Sequence, residues 1–472
     1  MKNNIIIMIF WVLAMGTLFG KPIFAESTKD ISALKVKSEL VTEFHDAYKN
    51  EIIPNGKIRE FFIEAIPGEI EFVAGKKTKV WTYNGKVPGP ELRIQLGDTL
   101  KVNFKNSLPQ STTIHWHGVR VPNAMDGVPG ITQPPIPPGE SFAYEFTPKD
   151  AGTFWFHPHV RTSEQIERGL YGTLIVENPK EPQYDKDLVW IIDDWAINQD
   201  FQIYPHFNTH HDLMHDGRWG NMVTVNGKTN PEISVKPGER IRLRLVNVAN
   251  ARIFRPFLGI LSAKVIAVDG MLASAPIDFN GDLLAPGNRI DLDLTIRPSL
   301  KGTTIPVQDN LTNNPFLLAK IVVGEERVNT SGFSAPANLK VPEWSKAHQL
   351  PVDKEYRLNA RRGGDFGIEW TLNNKAFGEH KVLNLHHRQF YKIRLVNESS
   401  RLHPMHLHGQ FFKVLTRNGK SVTENFFRDT VLVKGNETIE IGLIATDRGH
   451  WLTHCHVLEH AEAGMGTVLH VN

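Results

Sequence analysis

A strand-like segment that occurs three times constrains the fold of this 472-residue chain more than any other feature. The copies cover residues 97–106, 238–247 and 388–397; each alternates apolar with charged residues and ends in asparagine. Such alternation is typical of a β-strand with one buried face. Because the copies start 141 and 150 residues apart, they predict three similar β domains in tandem.

Proline-rich stretches near residues 178–182 and 336–351 indicate linkers, so we expect domains over residues 57–180, 181–335 and 336–472. Residues 26–56 are charged, with apolar residues at near-helical spacing, and predict an N-terminal extension that forms a helix on the body. Residues 1–25 contain an apolar run and end at Ala25, which predicts a secretory signal peptide. An uncleaved membrane anchor is the alternative.

The overall charge gives no sign of a nucleic-acid partner. The formal net charge is +2 and 22% of the residues are charged, so no basic surface for nucleic acid is expected.

The N-terminal apolar run is short for a transmembrane helix. We therefore expect an exported monomer, periplasmic or secreted, with no stable membrane insertion after signal cleavage.

Histidines recur in four His-x-His pairs, whereas chance placement of 21 histidines among 472 residues gives about one. Both members of such a pair face the same way on a strand, so eight imidazoles can converge between the first and third domains. Any one pair could instead be a solvated strand face; the set of four predicts a site for two or three metal ions. The pairs are His115/His117, His157/His159, His406/His408 and His454/His456.

The only cysteine, Cys455, cannot form an intramolecular disulfide, so metal binding or reactivity must explain it. Cysteine and histidine with a later methionine form the ligand set of a blue-copper site, and Met465 follows Cys455 by ten residues. On a strand, His454 and His456 point to the face opposite Cys455. They are therefore predicted to serve a second metal site, joined to the first by a few covalent bonds.

Four motifs occur in the order typical of one family: HWHG from His115, HPH from His157, HPMHLHG from His403 and HCHVLEHAEAGM from His454. The chain resembles the three-domain multicopper oxidases, the laccase-like and metal-oxidising enzymes, over residues 57–472. The resemblance implies an all-β fold of three tandem cupredoxin-like domains, each a Greek-key β-sandwich or barrel.

The resemblance also implies four copper ions: one type 1, one type 2 and a type 3 pair, the last three forming a trinuclear cluster between the first and third domains. The type 1 ligands would be His403, Cys455 and His460, with Met465 as the axial partner. The type 2 ligands would be His115 and His406. The type 3 ligands would be His117, His157, His159, His408, His454 and His456.

In this interpretation a reducing substrate gives single electrons to the type 1 site. The electrons pass through Cys455, His454 and His456 to the cluster, where dioxygen becomes water. Asp126 stands where the family has an acidic residue that can relay protons; the alternative is a structural Asp-Gly turn. Ala461 departs from the family, since many bacterial members have glutamate directly after the last histidine ligand, and a second proton route is therefore in doubt.

Phenols or aromatic amines are the favoured donor class. A metal ion, Cu(I), Fe(II) or Mn(II), oxidised for metal tolerance is the alternative, and a non-catalytic cell-envelope protein on the same fold or a copper store is more remote. One further cluster could guide a metal-ion substrate, although a polar surface loop is the favoured interpretation. It consists of His206, His210, His211, Met214 and His215.

Overall fold

The computed structural model describes residues 23–49, 51–328 and 333–472, with side chains from residue 32 onward. Residues 1–22 of the predicted signal peptide lie outside this part of the chain. The N-terminal extension contains the helix that its apolar spacing predicts, α1 (Ile23–Ala47). Among the described residues, no helix combines the length and apolarity needed to span a membrane.

The first sandwich consists of two four-stranded sheets in the orders β2-β1-β4-β6 and β3-β8-β7-β5. Helix α2 (Thr162–Glu167) and a 3₁₀ turn (Asn123–Met125) lie in its connections. The strands are β1 (Ile58–Val73), β2 (Lys76–Tyr83), β3 (Glu91–Gln95), β4 (Thr99–Asn106), β5 (His115–His117), β6 (Ser141–Phe146), β7 (Gly152–His157) and β8 (Gly172–Glu177).

The second sandwich has a six-stranded sheet, β10-β9-β12-β16-β14-β15, and a four-stranded sheet, β11-β18-β17-β13. It carries helix α3 (His210–Met214) and a 3₁₀ turn (Pro298–Leu300). The strands are β9 (Lys186–Trp195), β10 (Met222–Val225), β11 (Glu232–Val235), β12 (Arg240–Asn247), β13 (Pro256–Phe257), β14 (Ala263–Val268), β15 (Met271–Asp278), β16 (Arg289–Thr295), β17 (Thr304–Asp309) and β18 (Phe316–Val323).

The third sandwich has a six-stranded sheet, β20-β19-β22-β27-β24-β25, and a five-stranded sheet, β21-β29-β28-β23-β26. A 3₁₀ turn (Ser345–Gln349) precedes it, and helix α4 (Leu458–Glu462) follows β28. The strands are β19 (Lys354–Arg362), β20 (Ile368–Leu372), β21 (Leu383–Leu385), β22 (Phe390–Asn397), β23 (His403–Leu407), β24 (Phe412–Arg417), β25 (Lys420–Ser421), β26 (Thr430–Val433), β27 (Thr438–Ile444), β28 (Gly449–Cys455) and β29 (Gly466–Val471).

The three copies of the repeated segment form β4, β12 and β22, which occupy the same place in their sheets. Each has a parallel neighbour on one side and an antiparallel neighbour on the other. The final asparagine of each strand donates its side-chain amide to two loop carbonyls and accepts the backbone N–H two residues later. The predicted all-β fold of three cupredoxin-like sandwiches is confirmed, and the sheets are open rather than closed into barrels.

The cores explain which sandwiches face each other. One continuous cluster of buried apolar side chains runs through the first and third sandwiches, whereas the second has a core of its own and shares a smaller cluster with the first. Helix α1 packs on the third sandwich through Phe44, which is fully buried against Phe427 and Trp344. The first and third sandwiches thus meet over a wide surface, and the metal-binding motifs lie on strands at that surface.

We expect Phe44→Ala to lower the free energy of unfolding by about 3 kcal/mol, because it removes a buried aromatic ring and leaves a cavity. The matched control is Leu34→Ala on the same helix, whose side chain is 66% exposed and should change stability by less than about 0.5 kcal/mol. Urea denaturation measures both. Equal losses in the two variants would contradict the docking of α1 through Phe44.

Candidate metal centres

Four strands bring the predicted histidines together. Strands β5 and β7 of the first sandwich pair antiparallel, with His115 opposite His157. Strands β23 and β28 of the third sandwich pair in the same sense, with His406 opposite His454. The two strand pairs face each other across the interface, so all eight members of the four His-x-His pairs converge there. We call them the eight-histidine cluster.

Within the cluster the ring nitrogens fall into sets whose ligand atoms lie within 4.8 Å of one another. One set comes from β5, β7 and the residue after β28, another from the ends of β7, β23 and β28, and a third from β5 and β23. Each of these three sets contains residues of both sandwiches: His117/His157/His456, His159/His408/His454 and His115/His117/His406. A further set, His115/His157/His159, comes from the first sandwich alone.

Hydrogen bonds orient most of these rings for metal binding. The Nδ1–H of His115 donates to the carbonyl of Asp126 at 2.8 Å, and that of His406 donates to the carbonyl of Asp429 at 3.0 Å. The Nδ1–H of His454 donates to the carbonyl of the next residue at 2.8 Å, and the Nδ1–H of His157 donates to the carbonyl of its own next residue at 3.0 Å. A ring that donates a hydrogen bond through one nitrogen keeps a lone pair on the other nitrogen, where a metal ion can bind. Hydrogen bonds of this kind fix the tautomer and the orientation of metal-binding histidines.

The ring nitrogens that have no hydrogen-bond partner indicate a cation-binding site. Buried polar atoms almost always have a hydrogen-bond partner, yet seven ring nitrogens of the cluster have none among the described residues. The Nε2 atoms of His408 and His454 also lie only 3.2 Å apart. The donor set therefore fits metal ions. The seven atoms are Nε2 of His115, His157, His159 and His406, Nδ1 of His117, and both nitrogens of His456.

Burial lowers the pKa of seven of these rings and so favours their neutral form, which is the form that binds metals. Desolvation is the largest cause of each shift, and neighbouring imidazoles lower the values further. The pKa of His454 is lowered to about 3. Burial also lowers the pKa of His117, His157, His159, His406, His408 and His456.

A second group lies on the other side of β28. The ligand atoms of His403, Cys455 and His460 are all within 4.8 Å of one another, and all three side chains are fully buried. The Cys455 Sγ is 3.6 Å from Nδ1 of His403 and accepts the backbone N–H of Val457 at 3.3 Å. Burial raises the pKa of the thiol, so a bound metal has to displace its proton.

The predicted axial residue, Met465, is buried beside this group. Its backbone carbonyl accepts the N–H of Cys455 at 3.0 Å, and its own N–H donates to the carbonyl of His460. These two bonds fold the segment after α4 back onto the strand that carries the cysteine. Thiolate, two imidazoles and a nearby thioether are the ligands that a blue-copper site requires.

Strand β28 joins the two groups. It ends at Cys455, and the neighbouring residues His454 and His456 contribute to two different nitrogen sets of the eight-histidine cluster. His456 lies just past the strand, where its N–H donates to the carbonyl of Pro404 at 2.6 Å. The sequence-based expectation that Cys455 faces one site and its neighbours face another agrees with this arrangement.

Asp126 lies at the edge of the cluster and contacts both sandwiches. Its Oδ2 accepts the Nδ1–H of His408 at 2.9 Å, and its backbone carbonyl accepts that of His115. The carboxylate is almost fully buried. It therefore contacts a histidine from each side of the interface.

A cavity of about 450 Å³ extends to the cluster between the first and third sandwiches. Ala461, the position where the resemblance leads one to expect a glutamate, lines it. The neighbouring Glu462 accepts the backbone N–H of Ser163 at 2.7 Å and the amide of Asn208 at 2.6 Å, so both its oxygens are engaged. The cavity wall includes His159, His454, Phe366 and Phe377.

A buried ion pair lies next to the cluster, and no sequence pattern predicted it. Asp429 lies 3.3 Å from ring nitrogens of both His117 and His406, and Arg289 of the second sandwich donates to it at 2.7 and 2.9 Å. Burial alone would raise the pKa of Asp429, but Arg289 and His406 hold it below its usual range. The second sandwich thus supplies a residue to the surroundings of the cluster. Arg289 begins a strand with alternating charges, which resembles a solvated face.

His460, one of the predicted type 1 ligands, is covered rather than open to solvent. Its Nε2–H donates to the backbone carbonyl of His215 at 2.9 Å. The indole of Trp370 lies 4.1 Å from the His460 ring, centroid to centroid, and donates to the carbonyl of Leu213 at 2.9 Å. The segment around α3, residues 204–219, therefore forms a cover over this site; we call it the α3 loop. Any residue can supply a backbone carbonyl, so the contact between His460 and the His215 carbonyl could not be predicted from the sequence.

Asp429→Asn should lower the free energy of unfolding of the metal-free protein by about 3 kcal/mol, because Arg289 would lose the buried carboxylate to which it donates two hydrogen bonds and keep only Asp269 at 3.7 Å. Asp278→Asn is the matched control. It removes an exposed ion pair with Lys264, N to O 2.6 Å, and should cost less than about 1 kcal/mol. Urea denaturation distinguishes the two; a loss for Asp429→Asn no larger than the control's would contradict the role given to the pair.

The sequence matches the multicopper oxidase family over residues 65–181, 186–299 and 347–472. The fold is similar to a multicopper oxidase of Pseudomonas thermotolerans, with 31% identity, 88% of this chain and 99% of that chain covered, and a TM-score of 0.79. It is also similar to a Campylobacter jejuni multicopper oxidase described as a metallo-oxidase, with 28% identity, 89% and 94% coverage and a TM-score of 0.75. A Pediococcus acidilactici laccase gives 27% identity, 90% and 92% coverage and 0.75. The chain is a copper-binding oxidoreductase that uses dioxygen, and it belongs to the multicopper oxidase family.

Proposed function

We propose that the chain binds four copper ions and couples one-electron oxidation of a donor to four-electron reduction of dioxygen. The type 1 copper would be held by His403, Cys455 and His460, with Met465 as the axial partner. The type 2 copper would be held by His115 and His406. The type 3 pair would be held by one set of His117, His157 and His456 and a second set of His159, His408 and His454.

One observation carries this proposal: β28 puts Cys455 in one group of ligands and both its chain neighbours in the other. Copper in these sites supplies one-electron redox chemistry and a place for dioxygen to react. The backbone between Cys455 and His454 or His456 offers a path of a few covalent bonds. Four electrons and four protons convert one dioxygen to two waters.

The surroundings of the cluster support the oxygen chemistry. The 450 Å³ cavity offers dioxygen and water a way to His159 and His454. We assign Asp126 the role of holding and relaying protons, because its carboxylate is hydrogen-bonded to His408. With Ala461 in the cavity wall and Glu462 engaged by Ser163 and Asn208, Asp126 carries this role without the second acid of many relatives.

Two donor classes fit the proposal. Phenols or aromatic amines are supported by the similarity to a laccase, and oxidation of a metal ion is supported by the similarity to a metallo-oxidase. One feature of the site favours the metal ion. His403 and His460 are both fully buried under Trp370 and the α3 loop, so a flat ring cannot lie against either imidazole.

The domain boundaries, the location and the oligomeric state are proposals as well. We assign residues 57–180, 181–335 and 336–472 to the three domains; the strands of the three sandwiches fall within these ranges. We also propose export to the periplasm or outside the cell after cleavage near Ala25, and function as a monomer without membrane insertion.

Cys455→Ser should abolish the intense blue absorption of the copper-loaded protein, because the thiolate that produces it is lost, while copper in the eight-histidine cluster remains. Absorption spectroscopy and metal analysis measure the two effects. His450→Ala, at the exposed start of the same strand, is the control and should stay blue. A loaded wild-type protein without blue colour would remove the type 1 assignment.

His157→Ala should have the opposite pattern. It removes a ligand of the cluster but leaves the type 1 group intact, so the blue absorption should persist while oxygen consumption with a dimethoxyphenol or Cu(I) stops. An oxygen electrode and an absorption spectrum of the same sample test this. Oxygen uptake at the wild-type rate would show that the reaction does not need this cluster.

A further inference from the structure

The α3 loop carries a histidine pair that the oxidase site does not use. His211 and His215 are four residues apart and joined by a helical backbone hydrogen bond of 3.1 Å, so their rings lie on one face. The ring centroids are 4.5 Å apart, and both residues are exposed. Histidines at this spacing on a helix can hold one metal ion between them. Met214, also exposed, follows His211 by three residues on the same side.

The pair is rigidly attached above the type 1 site. Thr209 and Asp212 form a reciprocal capping box at the start of α3, with N to O distances of 3.0 and 3.2 Å. Leu213 is fully buried, and its carbonyl accepts the Trp370 indole N–H. The helix is short, but these contacts hold it in one position. The two imidazoles are therefore presented together rather than on a free loop.

A direct chemical connection leads from the pair to the type 1 group. The backbone carbonyl of His215 accepts the Nε2–H of His460 at 2.9 Å. An ion bound by the His215 ring would be one residue and one hydrogen bond away from a type 1 ligand. A second histidine pair, exposed His450 and half-buried His470, has stacked rings but no such connection among the described contacts.

The available ligands favour one kind of ion. Fe(II) and Mn(II) sites usually include carboxylates, but both acidic residues of the segment are held by other groups. Asp212 is buried and accepts the N–H of Thr209 in the capping box, and its other oxygen lies 3.9 Å from Nδ1 of His211. Asp216 accepts the N–H of Leu402 at 2.9 Å and lies 3.8 Å from Arg401. The free donors are imidazoles and a thioether, which suit copper, and thioether favours Cu(I).

We propose that His211 and His215, with Met214, form a docking site for a cuprous ion that serves as electron donor. Each docked Cu(I) is oxidised to Cu(II) and releases one electron, which enters through the His215 carbonyl and His460. Four such oxidations balance the reduction of one dioxygen and four protons to two waters. This inference rests on the proposed oxidase function and specifies its substrate.

The kinetic test compares copper-loaded wild-type protein with the His211→Ala/His215→Ala double variant. Alanine at residue 215 keeps the backbone carbonyl, so the bond to His460 and the blue absorption should be unchanged. Oxygen uptake with Cu(I) should show a KM raised at least about tenfold, the scale on which lost metal contacts act. With a dimethoxyphenol, kcat/KM should stay within about twofold. The control variant, His450→Ala/His470→Ala, should match wild type for both donors.

A second readout does not depend on turnover. Ag(I) resembles Cu(I) in its ligand preference but does not give up an electron here, so calorimetric titration of the loaded protein with Ag(I) counts docking sites. The double variant should bind one Ag(I) fewer than wild type or the control variant. Met214→Leu should weaken that site without removing it.

The outcomes separate the two proposals. Wild-type protein that consumes oxygen with the phenol but not with Cu(I) would overturn the docking site and leave the oxidase function intact. An unchanged Cu(I) KM or unchanged Ag(I) count in the double variant would also overturn it. If neither donor supports oxygen uptake although blue copper is present, the oxidase function fails, and the Ag(I) count alone decides whether the pair binds a cuprous ion.

Discussion

The antiparallel register of β23 and β28 is the constraint on which both metal groups depend. It sets Met405 opposite Cys455 and His406 opposite His454. A shift by one residue would turn every side chain of β28 to the other face, so Cys455 would enter the eight-histidine cluster and its neighbours would leave it. The apolar residues of both strands oppose such a slip, because it would turn Met405, Leu407 and Trp451 out of the apolar core and turn histidines into it. The core of the third sandwich thus determines which atoms can share a metal.

Unpaired imidazole lone pairs destabilise the interface between the first and third sandwiches as long as no cation is bound there. Seven imidazole nitrogens of the cluster are buried without a partner among the described residues, and lone pairs of His408 and His454 face each other at 3.2 Å. Apolar burial through the shared core holds these groups together. The second sandwich assists, since Arg289 pairs with Asp429, and Gly287 lies so close that a Cβ there would be 2.9 Å from the His117 ring. Folding therefore preorganises ligands that repel one another, and metal binding relieves the repulsion.

Much of this arrangement could be predicted from the sequence, because strands have a period of two. Alternation in the three repeated segments predicted the sandwiches, and the same period predicted that Cys455 and its neighbours face different ways. Contacts made by backbone atoms or by distant charges could not be predicted. The carbonyl that accepts from His460 belongs to His215, but any residue could supply it, and Arg289 is one of several alternating charges on β16. Trp370 was missed for a similar reason, since a buried indole in a strand resembles ordinary core.

The cover over His460 changes how an electron can enter. In a site with an exposed imidazole edge, a substrate ring contacts the ligand directly, and the shape of the pocket selects the donor. Here Trp370 lies against the ring, and the ring's Nε2–H donates to the His215 carbonyl, so the outermost groups connected to the proposed type 1 ligands belong to the α3 loop. Selection then depends on what that loop binds rather than on a pocket at the imidazole. The capping box of α3 and the burial of Leu213 hold the loop against His460, so it is part of the electron path as well as a cover.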